Sequence, residues 1–131
     1  MRQSSTAVSS SGVQQTAGPL RFYEIRQQVW RAERIADPNL GRRLRGLFHG
    51  AGFDRVDAFA DYISYGPPDQ AKAFASHRAA ECRDPRCCAV VAHHGIASGE
   101  ELLRLAAAWE EWGNDAGAFV AVAWCRVLAW R

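Results

Sequence analysis

Between Leu20 and Ile35 the apolar positions Phe22, Ile25, Val29 and Ala32 recur at intervals of three and four residues, and Tyr23 and Trp30 widen the stripe. That spacing predicts an amphipathic helix over about 20–35. Asp37-Pro38 can end it and open another, because an Asp side chain accepts from the free amides of a first helical turn and Pro is tolerated there. Over 38–51 the residues Leu40, Leu44, Leu47 and Phe48 form a stripe expected to be buried, and Gly52 supplies a left-handed stop. The Val, Phe, Tyr and Ile residues of 55–65, bounded by Gly52 and by Gly66-Pro67-Pro68, predict a strand.

Three helices then follow in series. Over 68–83 Ala71, Phe74, Ala75 and Cys82 point inward; over 85–94 the helix is capped by Asp84-Pro85 and stopped at Gly95; over 99–112 Ser98-x-x-Glu101 is a capping box. The last of these displays Leu102, Leu105, Ala106, Trp109 and Trp112 before Gly113 closes it. The final run, 118–130, has Phe119, Cys125 and Val127 on one face and Val120, Val122, Trp124, Leu128 and Trp130 on the other. A strand apolar on both faces is expected to have a layer on each side. Only one other strand is predicted, and an isolated pair is marginal in water, so the sheet reads as incomplete. Residues 1–19, rich in Ser and Gln and poor in large apolar side chains, are expected to form a disordered leader.

Several pieces in order and spacing carry a resemblance. Phe22-Tyr23-Glu24 through Asp37-Pro38-Asn39-Leu40-Gly41-Arg42-Arg43-Leu44, then Ala51-Gly52-Phe53 leading into a strand, form its first part. Trp109, Trp112-Gly113, Asp115, Ala118-Phe119 and Trp124-Cys125 to Trp130 form its last. Together, over about Leu20 to Arg131, they resemble the C-terminal part of class I S-adenosylmethionine-dependent methyltransferases of the type 11 group. The resemblance implies an α/β fold: a mostly helical fragment with two antiparallel strands, the C-terminal end of a class I methyltransferase-like sheet. In that family the last strand lies between two neighbours, and the helices before and between these strands form a lid over the substrate.

The same resemblance implies a parent activity, methyl transfer from S-adenosylmethionine to a small-molecule acceptor. The family holds its cofactor on a Gly-rich turn after the first strand and an acidic residue ending the second. Neither is present here. Gly46-x-x-x-Gly50-x-Gly52 lies within and at the end of a helix and precedes a strand, the reverse of the required order, and reads as close packing. The expectation is a truncated or remnant methyltransferase, inactive alone, with no cofactor of its own although the full-length family uses S-adenosylmethionine. The alternative is a non-enzymatic module that binds a partner protein or a second copy of itself through the edge of the 118–130 strand.

Composition narrows this picture little. At 131 residues the chain fits one domain, and 16 basic against 14 acidic residues leave a net charge of +2. Arg42, Arg43 and Arg45 make a basic helix face, but nearby acids turn it into a solvated face with local ion pairs, so no nucleic-acid partner is expected. The longest apolar stretch, Ala118 to Cys125, is far short of the ~20 residues of a membrane span, and no signal-peptide apolar core precedes it, so a cytoplasmic location is expected. Cys82, Cys87, Cys88, His93 and His94 have zinc-ligand chemistry, yet along one helix Cys87 and His94 stand about 10 Å apart and do not converge; no metal is expected. Tyr23, Trp30, His94 and Trp109 remain as candidates to line the lid against an acceptor, His94 as a polarising group or base.

Overall fold

The computed structural model describes residues 12–13, 17–37 and 39–131. In chain order the elements are β1 (Gly12–Val13), α1 (Ala17–Ala32), α2 (Leu40–Gly50), β2 (Arg55–Tyr65), α3 (Pro68–Arg83), α4 (Pro85–His93), α5 (Gly99–Gly113) and β3 (Val120–Trp130). Helix and strand are mixed, as the sequence pattern requires. β2 and β3 pair antiparallel along their whole length, from Arg55 opposite Trp130 to Tyr65 opposite Val120. β1 pairs antiparallel with the other side of β3, Gly12 opposite Ala121 and Val13 opposite Val120, giving the order β1-β3-β2.

The helix ends are set locally. Asp84 accepts from the amides of Arg86 and Cys87 at 2.7 and 3.3 Å and so caps α4. Ser98 accepts from Glu101 N at 3.1 Å and caps α5, but the Glu101 carboxylate is taken by Arg21 Nε of α1 at 2.7 Å, so the box is filled on one side only. α2 and α4 end in the same left-handed closure. Gly52 (φ 85°) lets Phe53 N reach Phe48 O at 3.2 Å, and Gly95 (φ 62°) lets Ile96 N reach Val91 O at 3.0 Å. Phe48 and Phe53 stack 5.2 Å apart across the first of these turns, the apolar contact that accompanies the motif.

α1 stops by the same geometry without a glycine. Arg34 takes φ 53°, Arg34 N donates to Arg31 O at 3.3 Å and Ile35 N to Trp30 O at 3.1 Å. The helix therefore ends at Ala32, before the expected Ile35, which is left exposed. It also begins earlier, at Ala17, because Pro19 suits a first turn and is buried, and Gly18 lies against Ala108 of α5. Of the expected leader, 17–19 thus belong to α1 and Gly12–Val13 to β1; 1–11 and 14–16 lie outside the described residues. α2 starts at Leu40, and Asp37 accepts from Asn39 N at 2.8 Å and pairs with Arg43 at 2.9 Å instead of capping the helix; the expected Pro38 start lies outside the described residues.

The core lies among α1, α3, α4 and α5. Phe22 and Ile25 of α1, Ala71, Phe74, Ala75, Ala79 and Cys82 of α3, Val91 of α4, and Leu102, Leu105, Ala106, Trp109 and Trp112 of α5 are all buried, on the faces that the helical spacing marks out. Small residues set how closely the helices approach. A Cβ added to Gly113 would stand 2.5 Å from Ala75 Cβ, so α3 and α5 touch there nearly backbone to backbone. Large apolar side chains buried in this way each stabilise the fold by about 1.5–3 kcal/mol.

Outside this core the pattern is covered less fully. None of the α2 residues is buried: Leu40 and Leu47 are exposed and Leu44 and Phe48 half-buried, against the expected buried stripe. The physical reason is that α2 packs on one layer, the β2–β3 ribbon, where Gly41 meets Cys125. In β3, only Val120 is buried, and Trp124, Cys125, Arg126, Leu128 and Trp130 are exposed. The strand expected to be covered on both faces is covered by α2 on one and, near Val120 and Val122, by the helical core on the other.

Candidate functional site

α1 and α5 bring two of the sequence-derived candidates into contact. Trp109, wholly buried, is ringed by Phe22 at 5.5 Å, Tyr23 at 6.0 Å, Phe74 at 6.0 Å and Trp112 at 5.5 Å, mostly edge to face. Tyr65 at the end of β2 joins through Phe74 at 4.8 Å. Because Trp109 has no exposed surface, it supports this wall from behind and does not itself face an acceptor. Its Nε1 and that of Trp112 are buried without a hydrogen-bond partner among the described residues.

Tyr23 sits where the aromatic wall meets a charged cluster. Burial pushes its phenol above the ordinary range, against the opposing pull of Arg78 and Arg26, so it is a neutral donor at neutral pH. Glu81 of α3 gathers the basic side chains around it: Arg78 Nη1 donates to both carboxylate oxygens at 2.8 Å, Arg26 Nη1 lies 3.6 Å away, and the His77 imidazole Nε2 stands at 3.7 Å. Arg78 also lies over the Phe74 ring at 4.8 Å and Arg26 over Trp30 at 4.7 Å. A half-buried phenol beside two guanidiniums and a carboxylate can orient a polar aromatic molecule by hydrogen bonds. Arg26, Arg78 and Glu81 were not among the sequence-derived candidates. Their signal was weak but present: Arg26 follows Tyr23 by three residues on the same helix face, and Arg78 precedes Glu81 by three.

The other two candidates stand apart from this pair. Trp30 is half-buried two turns along α1 from Tyr23, about 10 Å by helical rise, under Arg26. His94, at the end of α4, pairs through Nε2 with Glu33 beyond the end of α1. That contact ties two helix termini together, and it places the imidazole about 15 Å along α1 from Tyr23.

The cysteines divide by depth. Cys82 is in the core, where burial pushes its thiol up to about 11, and Cys88 Sγ donates to Cys82 O at 3.4 Å. Cys87 is exposed on the other side of α4. Among the described residues no group of three or more His, Cys, Asp or Glu side chains is arranged to hold a metal. No helix among them is long and apolar enough to cross a membrane.

The glycines Gly46, Gly50 and Gly52 do not stand in the strand, turn, helix order that holds S-adenosylmethionine in the resembled family. Gly46 and Gly50 lie in α2 and Gly52 at its end, ahead of a strand, and a Cβ added to any of the three would meet nothing within 4 Å. Comparison of the chain with protein-family models, with curated proteins and with solved structures returns no match.

Proposed function

We propose that this chain supplies the acceptor-side, C-terminal part of a class I methyltransferase-like fold, whose reaction is methyl transfer to a small-molecule acceptor, and that it does not perform that reaction alone. One observation carries the reading: β3 runs antiparallel between two neighbours, β1 and β2, the position the last strand holds in the family that the sequence resembles. The placing of α3, α4 and α5 between β2 and β3 in sequence, beside α1, also fits a helical cover. In this reading Tyr23 faces the acceptor, Trp109 backs it, and Arg26, Arg78 and Glu81 orient the acceptor's polar groups. Titration calorimetry of the purified chain with S-adenosylmethionine tests the second half of the proposal: no heat is expected, and micromolar binding would overturn it. The first half is tested in the DNA upstream of the Met1 codon, where a frame encoding a strand, a Gly-x-Gly turn and a helix is expected and its absence would count against the reading.

A second reading, a non-enzymatic self-associating module, is favoured by a different observation. Beyond the core the β2–β3 ribbon leaves large apolar side chains in solvent, Trp124 at 60% and Leu128 at 55% exposure. Contiguous patches of this kind mark interaction surfaces.

A further inference from the structure

The pairing register sorts the ribbon into two faces. Arg55, Asp57, Phe59, Asp61, Ile63 and Tyr65 share one with Val120, Val122, Trp124, Arg126, Leu128 and Trp130, because directly opposed residues lie on the same side of a sheet. The other face carries mostly small side chains, together with Val56, Val127 and the exposed Tyr62, and receives α2. On the first face Tyr65, Val120 and Val122 dock on the helical core, and the remainder runs out beyond it. Phe59, Ile63, Trp124, Leu128 and Trp130 there form an exposed apolar surface of roughly 500 Å², at the upper end of what a monomer usually leaves open.

We propose that this face packs against the same face of a second copy of the chain, in a closed twofold sandwich of the two ribbons; this rests on the self-associating reading above. The charges on the face select the occupant. Arg126 pairs with Asp61 at 2.7 Å, and Arg55 pairs with Asp57 at 2.6 Å while lying over the Trp130 ring at 4.6 Å. Two cations and two anions thus sit among the apolar residues with no net charge. A polyanion such as nucleic acid or an acidic lipid surface would meet Asp57 and Asp61, and a strongly basic partner would meet the arginines. A second copy presents the same alternation of signs and can exchange partners with it, Arg126 of one ribbon reaching Asp61 of the other. Sheets packed face to face stack about 10 Å apart with strands roughly 30° off parallel, a spacing that suits side chains of the size of Trp and Leu. With the two ion pairs included, the covered surface approaches the roughly 800 Å² per partner of a standard interface.

Sedimentation equilibrium of the full chain from about 1 µM to about 500 µM decides the matter. A monomer–dimer equilibrium is expected, weakened at least about 30-fold by Trp124→Ser with Leu128→Ser, since these residues lie at the centre of the face. Arg126→Glu, at an exposed position that leaves the apolar residues in place, is expected to weaken it about 5–10-fold by setting Glu beside Asp61; it decides the question if circular dichroism shows the double variant unfolded. A chain that stays monomeric throughout overturns the proposal and the self-associating reading together. A dimer unchanged in these variants, or a series of species larger than a dimer, overturns the proposal alone and moves the association to the open edges of the ribbon.

Discussion

The four-helix core and the β2–β3 ribbon both carry large apolar side chains, and these end in opposite states. In α5 every position of the stripe Leu102, Leu105, Ala106, Trp109 and Trp112 is buried, whereas in β3 the equally apolar Trp124, Leu128 and Trp130 are exposed. The difference lies in what faces each element. α5 meets α1, α3 and α4, with Gly113 against Ala75 allowing near-backbone approach, while the outer two-thirds of β3 has α2 on one side only. An apolar pattern is a capacity for burial, and a second layer is needed to realise it.

The sharpest way to break the comparison is to truncate one tryptophan in each region. Trp109→Ala is expected to destabilise the fold by about 3–5 kcal/mol and Trp124→Ala by about 1 kcal/mol or less, read from urea midpoints at a concentration where the chain is monomeric. Equal losses would mean that the ribbon is as tightly covered as the core. Next in size, Gly113→Ala should cost about 1–3 kcal/mol, because its new methyl meets Ala75 Cβ at 2.5 Å in a packed interior. Gly46→Ala in α2 meets nothing within 4 Å and should be neutral or stabilising, which thermal melts of the two variants would show.

Smaller effects sharpen the boundary of the core. Arg34→Gly is expected to raise stability by about 0.5–1 kcal/mol, since Arg34 holds φ 53° at the end of α1 with an L side chain; a melt that does not rise would mean its side chain contributes as much as the backbone loses. Last comes pH. The Arg21 guanidinium, donating to Glu101, holds that carboxyl below the usual carboxylate range. A carboxyl that binds its proton more weakly when folded stabilises the protein fully above its unfolded value, about 4.3, and loses that contribution as pH falls through the lower folded value. The half-exposed pair is worth on the order of half a kcal/mol, so the stability gap between the wild type and Glu101→Gln should close below about pH 4.

Much of this architecture is written in short stretches of sequence. Asp84 and Ser98 accept the amides of their own first turns, Gly52 and Gly95 supply the left-handed stops, and the stripes of α3 and α5 mark their buried faces, because each depends on residues within a turn or two of one another. The end of α1 was not legible in that way: the chain turns left-handed at Arg34, a residue with no intrinsic preference for that conformation. Nor was the environment of Tyr23, since Arg26 comes from its own helix but Arg78 and Glu81 arrive from α3, more than fifty residues later, once both helices have docked.

The ribbon divides the two kinds of information most clearly. Sequence by itself marked 55–65 and 118–130 as extended and rich in apolar residues, because strand propensity and turn punctuation act locally. Only the tertiary structure decided that they pair from Arg55–Trp130 to Tyr65–Val120, that β1 lies on the far side of β3, and that Val120 is buried while Trp124 is not. Register couples residues some sixty-five positions apart, and burial depends on which other surface arrives to displace water; neither quantity is a property of a residue and its neighbours in the chain.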